Sequence, residues 1–345
     1  METDGLEFMR NRVVRYRMPP SSGSTDHGSL TPDEAFSVLG NETRMQILQE
    51  LGEADRSLSF TALRDRVGVR QGAEFNYHLD RLVGHFVEKT DGGYRLREPG
   101  RRVIQSVLSG AVTDDPTLEP TEVDFHCLHC GGPLEVSYTR GKLRLSCTAC
   151  VGDFDETTGL GDFDESTVRE REDESASANL ANMWFEPAGV RGRTAPDALR
   201  TASTTNHLDA MALSSDICPR CSAQVDHSVS VCESHDADGG LCEACGSRLA
   251  VWFRFRCTNC IYEKTCSAGM VFLDVPELLV FVGEHGLNTS SRAIEWGWEF
   301  EEEIVSVDPF EGRFTFTIEA DSITLTVDDT LSVVDVTKHY PSRPV

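Results

Sequence analysis

Residues Leu39–Arg97 read LGNETRMQILQELGEADRSLSFTALRDRVGVRQGAEFNYHLDRLVGHFVEKTDGGYRLR and decide the fold of the N-terminal part of the chain. Asn41 is a favourable N-cap, and the apolar positions after it predict an amphipathic helix that ends near Gly52. A second short helix is predicted over Phe60–Val67, because Gly68 can end it. A turn then separates these two helices from a third.

The third helix is predicted over Ala73–Val83 from the spacing of its apolar residues. Its inward face consists of Phe75, Leu79, Leu82 and Val83. Two short strands, Phe86–Lys89 and Gly93–Leu96, then flank Asp91-Gly92, which is a favoured hairpin turn. Helix, helix, turn, helix and hairpin is the order of a winged helix-turn-helix.

The segments LGNETRMQIL and FNYHLDRLV resemble the ArsR-like winged-helix transcription regulators of haloarchaeal type, over roughly 70 of the 345 residues. The resemblance implies that residues 30–110 bind double-stranded DNA, with the third helix in the major groove and the hairpin along the backbone. The residues expected at the DNA are Arg70, Gln71, Glu74, Asn76, Tyr77, Arg81, Gly92 and Arg95. Metal sensing is not implied, because FTALRDRV lacks the Cys-x-Cys pair of metal-sensing members. A winged helix that binds protein instead of DNA is the alternative.

After the hairpin, residues Gly100–Leu108 predict an amphipathic helix. In winged-helix regulators a helix at this place often makes the dimer contact, so we expect a homodimer that binds two-fold-related half-sites. A helix that packs only on its own domain is an equally good interpretation.

The chain is strongly acidic, with 57 Asp and Glu against 32 Lys and Arg and a net charge of −25. This lysine-poor composition is typical of proteins that stay hydrated in concentrated salt, as in salt-loving archaea. The window Gly40–Gln105 holds eleven basic and ten acidic residues, so its net charge is +1 and the remainder carries −26. Because phosphate contacts weaken in salt, base contacts and shape would have to supply most of the DNA affinity.

Cysteine pairs predict structural Zn²⁺ sites, two or three in number. Cys127-x-x-Cys130 and Cys147-x-x-Cys150 flank a predicted hairpin, which is the spacing of a four-cysteine zinc ribbon over residues 122–151. Because cytosolic thiols stay reduced, disulfides are the weaker alternative.

A second cysteine module is predicted over residues 183–262, after a helix at Pro196–Leu213. Its candidate ligands are Cys218, Cys221, Cys232, His235, Cys242, Cys245, Cys257 and Cys260. Sequential pairing is favoured, with one Cys₃His site followed by one Cys₄ site. An interleaved pairing of Cys218 and Cys221 with Cys257 and Cys260 remains open, because sequence order does not fix connectivity. Cys266 is left over and is expected to be a buried apolar residue.

The remaining segments complete an α+β multidomain organisation. Residues 1–29 are expected to be a disordered tail, and the acidic tandem repeat within 152–182 a solvated linker. Residues 263–345 predict a small α/β domain. In it MVFLDV forms a strand, Pro276–Glu284 and Ser290–Gly297 form helices, and a final meander comprises Arg313–Glu319, Ser322–Val327 and Leu331–Val336.

The most economical interpretation is a sequence-specific regulator of transcription in the cytoplasm. No apolar run reaches the length of a signal peptide core or a membrane span. No Walker loop, GxSxG or HExxH motif is present, so an enzyme is not expected. Two alternatives stay open: a general factor that resembles archaeal transcription factor E and contacts the transcription machinery, and a zinc-dependent interaction scaffold.

Overall fold

The computed structural model describes residues 30–54, 56–127, 130–150, 178–237, 241–245, 247–287 and 299–341. These residues form a mixed α and β structure with antiparallel sheets. They fall into two compact units. The N-terminal unit holds the described residues of 19–115 together with 186–188, and the C-terminal unit holds those of 116–185 and 189–345. The predicted tail at 1–29 lies outside the described residues.

The described part of the N-terminal unit contains five α-helices, and one hairpin lies between the fourth and the fifth helix. The elements are α1 (Pro32–Leu39), α2 (Glu42–Glu53), α3 (Phe60–Val67), α4 (Gly72–Leu82), β1 (Val87–Thr90), β2 (Gly93–Leu96) and α5 (Glu98–Leu108). The three predicted helices and the hairpin are all present. As predicted, Asn41 caps α2 through its side chain, and Gly68 ends α3 in a left-handed conformation.

The core of this unit lies between α2, α3 and α4. Ile47, Leu48, Leu63, Phe75 and Leu79 are completely buried there. Phe75 meets the ring of Phe60 edge to face, with 5.1 Å between ring centroids, which fixes α4 against α3. The first helix, α1, was not predicted, although Thr31 and Glu34 form a reciprocal capping box at its start.

The C-terminal unit begins with a four-stranded antiparallel sheet. Its strands are β3 (Leu118–His126), β4 (Pro133–Thr139), β5 (Lys142–Cys147) and β6 (Ala178–Trp184), in that spatial order. The long helix α6 (Ala195–Ser214) covers one face, where Ala198, Leu199 and Ala202 join the core of the sheet. The predicted linker was wrong at its end: residues 178–182 pair with β5, and residues 151–177 lie outside the described part.

A three-stranded antiparallel sheet follows. It contains β7 (Val225–Val231), β8 (Val251–Cys257) and β9 (Glu263–Ser267), with β8 in the centre. The segment MVFLDV was predicted as a strand, and that prediction is wrong: Met270 and Val271 complete the short helix α7 (Ala268–Val271), and a turn follows. An uninterrupted apolar run does not distinguish a buried strand from a buried helix.

The chain ends in a four-stranded meander behind α8 (Pro276–Glu284), a helix that matches its prediction. The strands are β10 (Glu299–Val307), β11 (Phe310–Ile318), β12 (Asp321–Asp328) and β13 (Val333–His339). The first of them was not predicted, and the predicted helix Ser290–Gly297 lies outside the described residues. Phe314 and Phe316 are fully buried and form one core with Phe253 of β8.

Candidate metal centres and candidate nucleic-acid interface

Three groups of four Cys and His side chains in the C-terminal unit are placed to hold a metal ion. In each group the ligand atoms all lie within 4.8 Å of one another. The groups are Cys127, Cys130, Cys147 and Cys150; Cys218, Cys221, Cys257 and Cys260; and Cys232, His235, Cys242 and Cys245. All twelve predicted ligands are therefore brought into ligand sets, and we call these sets the first, second and third centres.

The first centre lies at one end of the β4–β5 hairpin. Cys127 Sγ is 3.7 Å from Cys150 Sγ, and Cys130 Sγ is 3.5 Å from Cys147 Sγ. Backbone N–H groups point at the sulfurs, including those of Gly132 on Cys130 and Cys150 on Cys147, both at 3.3 Å. Such donors stabilise thiolates, which are the form that binds metal.

The second centre repeats this arrangement and corrects the predicted pairing. Cys218 Sγ is 3.7 Å from Cys260 Sγ, and Cys221 Sγ is 3.5 Å from Cys257 Sγ. The pairing is therefore interleaved, and the sequential pairing was wrong. The β7–β8 hairpin explains this pairing. Because Val225 of β7 pairs with Cys257 of β8, the Cys218-x-x-Cys221 pair meets the Cys257-x-x-Cys260 pair at the open end of the hairpin.

The third centre lies in the connection between β7 and β8. Cys232 directly follows Val231, the last residue of β7. His235 Nδ1 is 3.4 Å from Cys245 Sγ, while its Nε2 is 3.0 Å from the carbonyl oxygen of Arg248. That carbonyl can only accept, so Nε2 carries the proton and Nδ1 presents a lone pair to the ligand set.

The thiols of these centres have strongly separated acidities. The backbone N–H of Ala223 lowers the pKa of Cys221 to about 6, and that of Asp236 lowers the pKa of Cys242 to about 6. Burial raises the pKa of Cys245 to about 12. These backbone N–H groups therefore favour the thiolate forms of Cys221 and Cys242, and a divalent cation would draw the remaining thiols into the same ionised form.

Four of the described cysteines make the same backbone hydrogen bond, in which the cysteine N–H donates to the carbonyl oxygen five residues later. The pairs are Cys127 with Gly132, Cys218 with Ala223, Cys242 with Ser247 and Cys257 with Tyr262, at 2.8–3.0 Å. The residue directly before the accepting residue has a positive φ in the first two cases, +69° at Gly131 and +61° at Ser222. Serine at this position carries a strain that glycine avoids.

Replacing Ser222 by glycine is expected to stabilise the second centre by about 0.5–1 kcal/mol, because the left-handed conformation costs glycine little. The reciprocal change Gly131→Ser should destabilise the first centre by a similar amount. A competing chromophoric chelator would measure both effects as the rate of metal release. Faster release from Ser222→Gly than from the wild type would contradict the assignment of strain.

A carboxylate that sequence reasoning missed supports the third centre. Glu302 of β10 accepts hydrogen bonds from the N–H groups of Ala250 at 2.7 Å and Val251 at 3.3 Å. The carbonyl of Ala250 in turn accepts from the N–H of Cys232 at 2.9 Å. Burial raises the pKa of Glu302 to about 7. Glu302 lies in phase with Phe300 and Ile304, which are the inward positions of β10. A carboxylate at an inward position of a strand was the signal that could have identified it.

In the N-terminal unit, all eight residues predicted to meet DNA are exposed. They are Arg70, Gln71, Glu74, Asn76, Tyr77 and Arg81 on or just before α4, and Gly92 and Arg95 on the hairpin. The opposite face of α4 buries Phe75, Leu79 and Leu82 as predicted, whereas Val83 is only half buried. The helix therefore separates a buried apolar face from an exposed polar one.

Contacts within the exposed face of α4 orient several of these side chains. The Arg81 guanidinium lies 5.9 Å from the ring centroid of Tyr77, a residue that is 56% exposed. Asn76 donates to the carboxylate of Asp80 at 2.6 Å. Among the described residues, Arg70 and Arg81 make no ion pair, so their charges stay available to a ligand.

The hairpin is attached to the helices through residue Leu58. Leu58 N donates to the carbonyl of Tyr94 at 3.0 Å, and Tyr94 N donates back at 2.8 Å. On the hairpin itself, Arg95 is paired with Glu88 across the ladder at 2.5 Å. Lys89, which was not predicted as a site residue, is exposed, and its ammonium group lies 6.0 Å from the ring centroid of Tyr94.

Two family models match the chain, and both describe domains of unknown function. Residues 32–107 match the domain of unknown function DUF7347, and residues 124–333 match the domain of unknown function DUF7351. The second match spans more than half of the chain. The chain belongs to the DUF7351 family. No curated protein and no solved structure matches it.

All three candidate metal centres lie within the DUF7351 region, and the eight residues predicted to contact DNA lie within the DUF7347 region. The DUF7351 protein also buries Cys266 in its core, as predicted for the cysteine that remains outside the ligand sets. None of the helices in the described part is long and apolar enough to cross a membrane.

Proposed function

We propose that this DUF7351 protein is a sequence-specific DNA-binding regulator of transcription whose N-terminal unit is a winged helix-turn-helix. In this proposal α4 enters the major groove of double-stranded DNA, and the β1–β2 hairpin is the wing. The observation that carries it is the exposed face of α4, where Asn76, Tyr77 and Arg81 lie opposite the buried apolar face of the helix. Amide and guanidinium groups are the side chains that discriminate base edges best.

The charge distribution supports the same function. Gly40–Gln105 has a net charge of +1, whereas the rest of the chain has a net charge of −26, so the proposed DNA-binding unit is not acidic. The N-terminus of α4 also lacks a side-chain cap, which leaves its first N–H groups available to a backbone phosphate. A nucleic acid suits both features, because its phosphate backbone is negatively charged.

We infer that the three centres hold structural Zn²⁺. The donor sets are Cys₄, Cys₄ and Cys₃His, and four-coordinate sets of sulfur and imidazole suit a tetrahedral zinc ion. Each set already supplies four protein ligands, so no coordination position is kept for a substrate. The bound ions would hold the ends of two hairpins together, which is a structural role.

A homodimer is part of this proposal. The apolar stripe of α5 continues into exposed residues: Leu108 is 50% exposed and Val112 is 70% exposed. Burial of this stripe against a second copy would remove apolar surface from water. A two-fold-symmetric motif in the bound DNA is the expected signature of the dimer.

Selection of genomic DNA by the metal-loaded protein in multimolar KCl tests the proposed function. We expect a short palindromic motif, and we expect Arg81→Ala to weaken binding to that motif by about 1–3 kcal/mol if the guanidinium contacts a base edge. The matched control is Arg102→Ala on α5, which removes an arginine with a 77% exposed side chain from another helix. No enrichment at any salt concentration, or equal losses from both variants, would reject this role of α4.

A further inference from the structure

The first sheet of the C-terminal unit has one face covered by α6 and one face that α6 leaves open. Along β5, Leu143 and Leu145 are buried in the core beneath α6, while Lys142 and Arg144 alternate with them and occupy the other face. Antiparallel pairing places Trp184 beside Lys142 and Asn182 beside Arg144. We call Lys142, Arg144, Asn182 and Trp184 the β5–β6 face.

The β5–β6 face is positively charged in a chain whose net charge is −25. Residues 136–147 contain Arg140, Lys142 and Arg144 and no carboxylate, and β6 contains no charged residue at all. Arg144 is exposed and makes no ion pair with any described residue. The charge of this face is therefore available to an anionic ligand.

An exposed indole lies among these cations. Trp184 is 51% exposed, and the ammonium nitrogen of Lys142 lies 4.7 Å from its ring centroid. Tryptophan combines a large apolar ring with a polar edge, so a half-exposed indole offers a surface on which a planar ligand can stack. A cation held against an aromatic ring is an arrangement that can bind a phosphate and a base at neighbouring positions.

We propose that the β5–β6 face binds single-stranded nucleic acid, with a base stacked on Trp184 and backbone phosphates held by Lys142 and Arg144. Two residues along a strand are separated by about 6.7 Å, a distance similar to that between successive phosphates of an extended strand. A duplex hides the faces of its bases, whereas a single strand exposes them to aromatic side chains on a sheet. This site is separate from α4 and does not depend on the proposed function of α4.

Binding of a short labelled oligothymidylate, and of its uridylate counterpart, to the full-length metal-loaded protein tests this proposal. Fluorescence anisotropy over a series of KCl concentrations gives affinity and salt dependence. Trp184→Ala should weaken binding about tenfold, whereas Trp184→Phe, which keeps an aromatic ring, should retain most of it. Arg144→Gln should lower the slope of log K against log salt by about 0.7, as expected when one phosphate contact is lost.

Arg256→Gln is the matched control, because Arg256 is also on a strand of this unit and its side chain is 74% exposed. It should leave both affinity and slope unchanged, and so should Arg81→Ala on α4. The proposal is overturned if neither single strand binds, if Trp184→Ala binds as the wild type does, or if Trp184→Ala and Arg144→Gln weaken only duplex binding. Metal content and circular dichroism of each variant would verify that it is folded. Loss of the genomic motif in Arg81→Ala with unchanged single-strand binding would separate the two sites.

Discussion

Replacing Cys218 and His235 together by alanine is expected to leave one metal ion bound per chain. The two residues belong to different centres, the second and the third, so each substitution removes a separate ligand set. Under the sequential pairing that spacing alone favoured, both residues would belong to one set and two ions would remain. Metal analysis of the purified variant, relative to three ions in the wild type, distinguishes these arrangements.

Cys218→Ala combined with Cys257→Ala is the matched control for this experiment. Both residues belong to the second centre, so the double variant should lose one ion and keep two. Sequential pairing predicts the reverse result for each double variant. Equal stoichiometry in the two variants would contradict the interleaved assignment.

Complete removal of metal should have a much larger effect on the C-terminal unit than either double variant. Structural zinc sites contribute about 10–16 kcal/mol of apparent binding free energy in small domains, and that energy is coupled to folding. All twelve ligands lie between residues 127 and 260, so a chelator should unfold the cysteine modules built on β3–β6 and β7–β9 and leave α2, α3 and α4 folded. Amide hydrogen exchange can follow the two units separately. Loss of protection in α2 to α4 on chelation would contradict this expectation.

Local signals explain why the helices of the N-terminal unit could be predicted. Asn41 and Gly68 fix helix ends through their own hydrogen bonds or φ, and such signals are visible in the sequence. Helix α1 has an equally clear capping box at Thr31 and Glu34, yet it contains no buried residue. A search based on apolar periodicity misses such a helix, because its cap is its main signal.

Tertiary context decided the features that the sequence could not settle. The MVFLDV segment buries Phe272 between Phe253 and Phe314, with centroid distances of 5.6 Å to each ring. Because its neighbours are apolar, this segment could bury Phe272 either as a helix or as a strand, so its composition does not predict which of the two forms.

The metal ligands show the same division between local and long-range information. Cys-x-x-Cys spacing identified ten of the cysteine ligands, and Cys-x-x-His spacing identified Cys232 together with His235. The partner of each pair depended on the register of β7 and β8, which is set over more than twenty residues. The first centre offered a usable analogy, since its two cysteine pairs also flank a hairpin. Applied to Cys218 and Cys257, that analogy gives the interleaved arrangement.

Replacing Gly93 by alanine is expected to destabilise the N-terminal unit by about 3 kcal/mol, for two reasons. Gly93 has a φ of +124°, a conformation that L residues rarely adopt. A Cβ atom at this position would also lie 2.1 Å from the carbonyl oxygen of Leu58, which is backbone and cannot rotate away. The hairpin would have to move, and the two hydrogen bonds between Leu58 and Tyr94 would be lost.

Gly84→Ala is the control that separates strain from overlap. Gly84 also has a positive φ, +91°, but a Cβ atom there would meet nothing within 4 Å. It should therefore cost only about 1–2 kcal/mol and preserve the bridge between Leu58 and Tyr94. Amide exchange at these two residues measures the difference: fast exchange in Gly93→Ala and protection in Gly84→Ala are expected. Equal protection in both variants would mean that the hairpin is not held against the helices by this close backbone approach, and the proposed wing would then lack the rigid attachment that DNA binding requires.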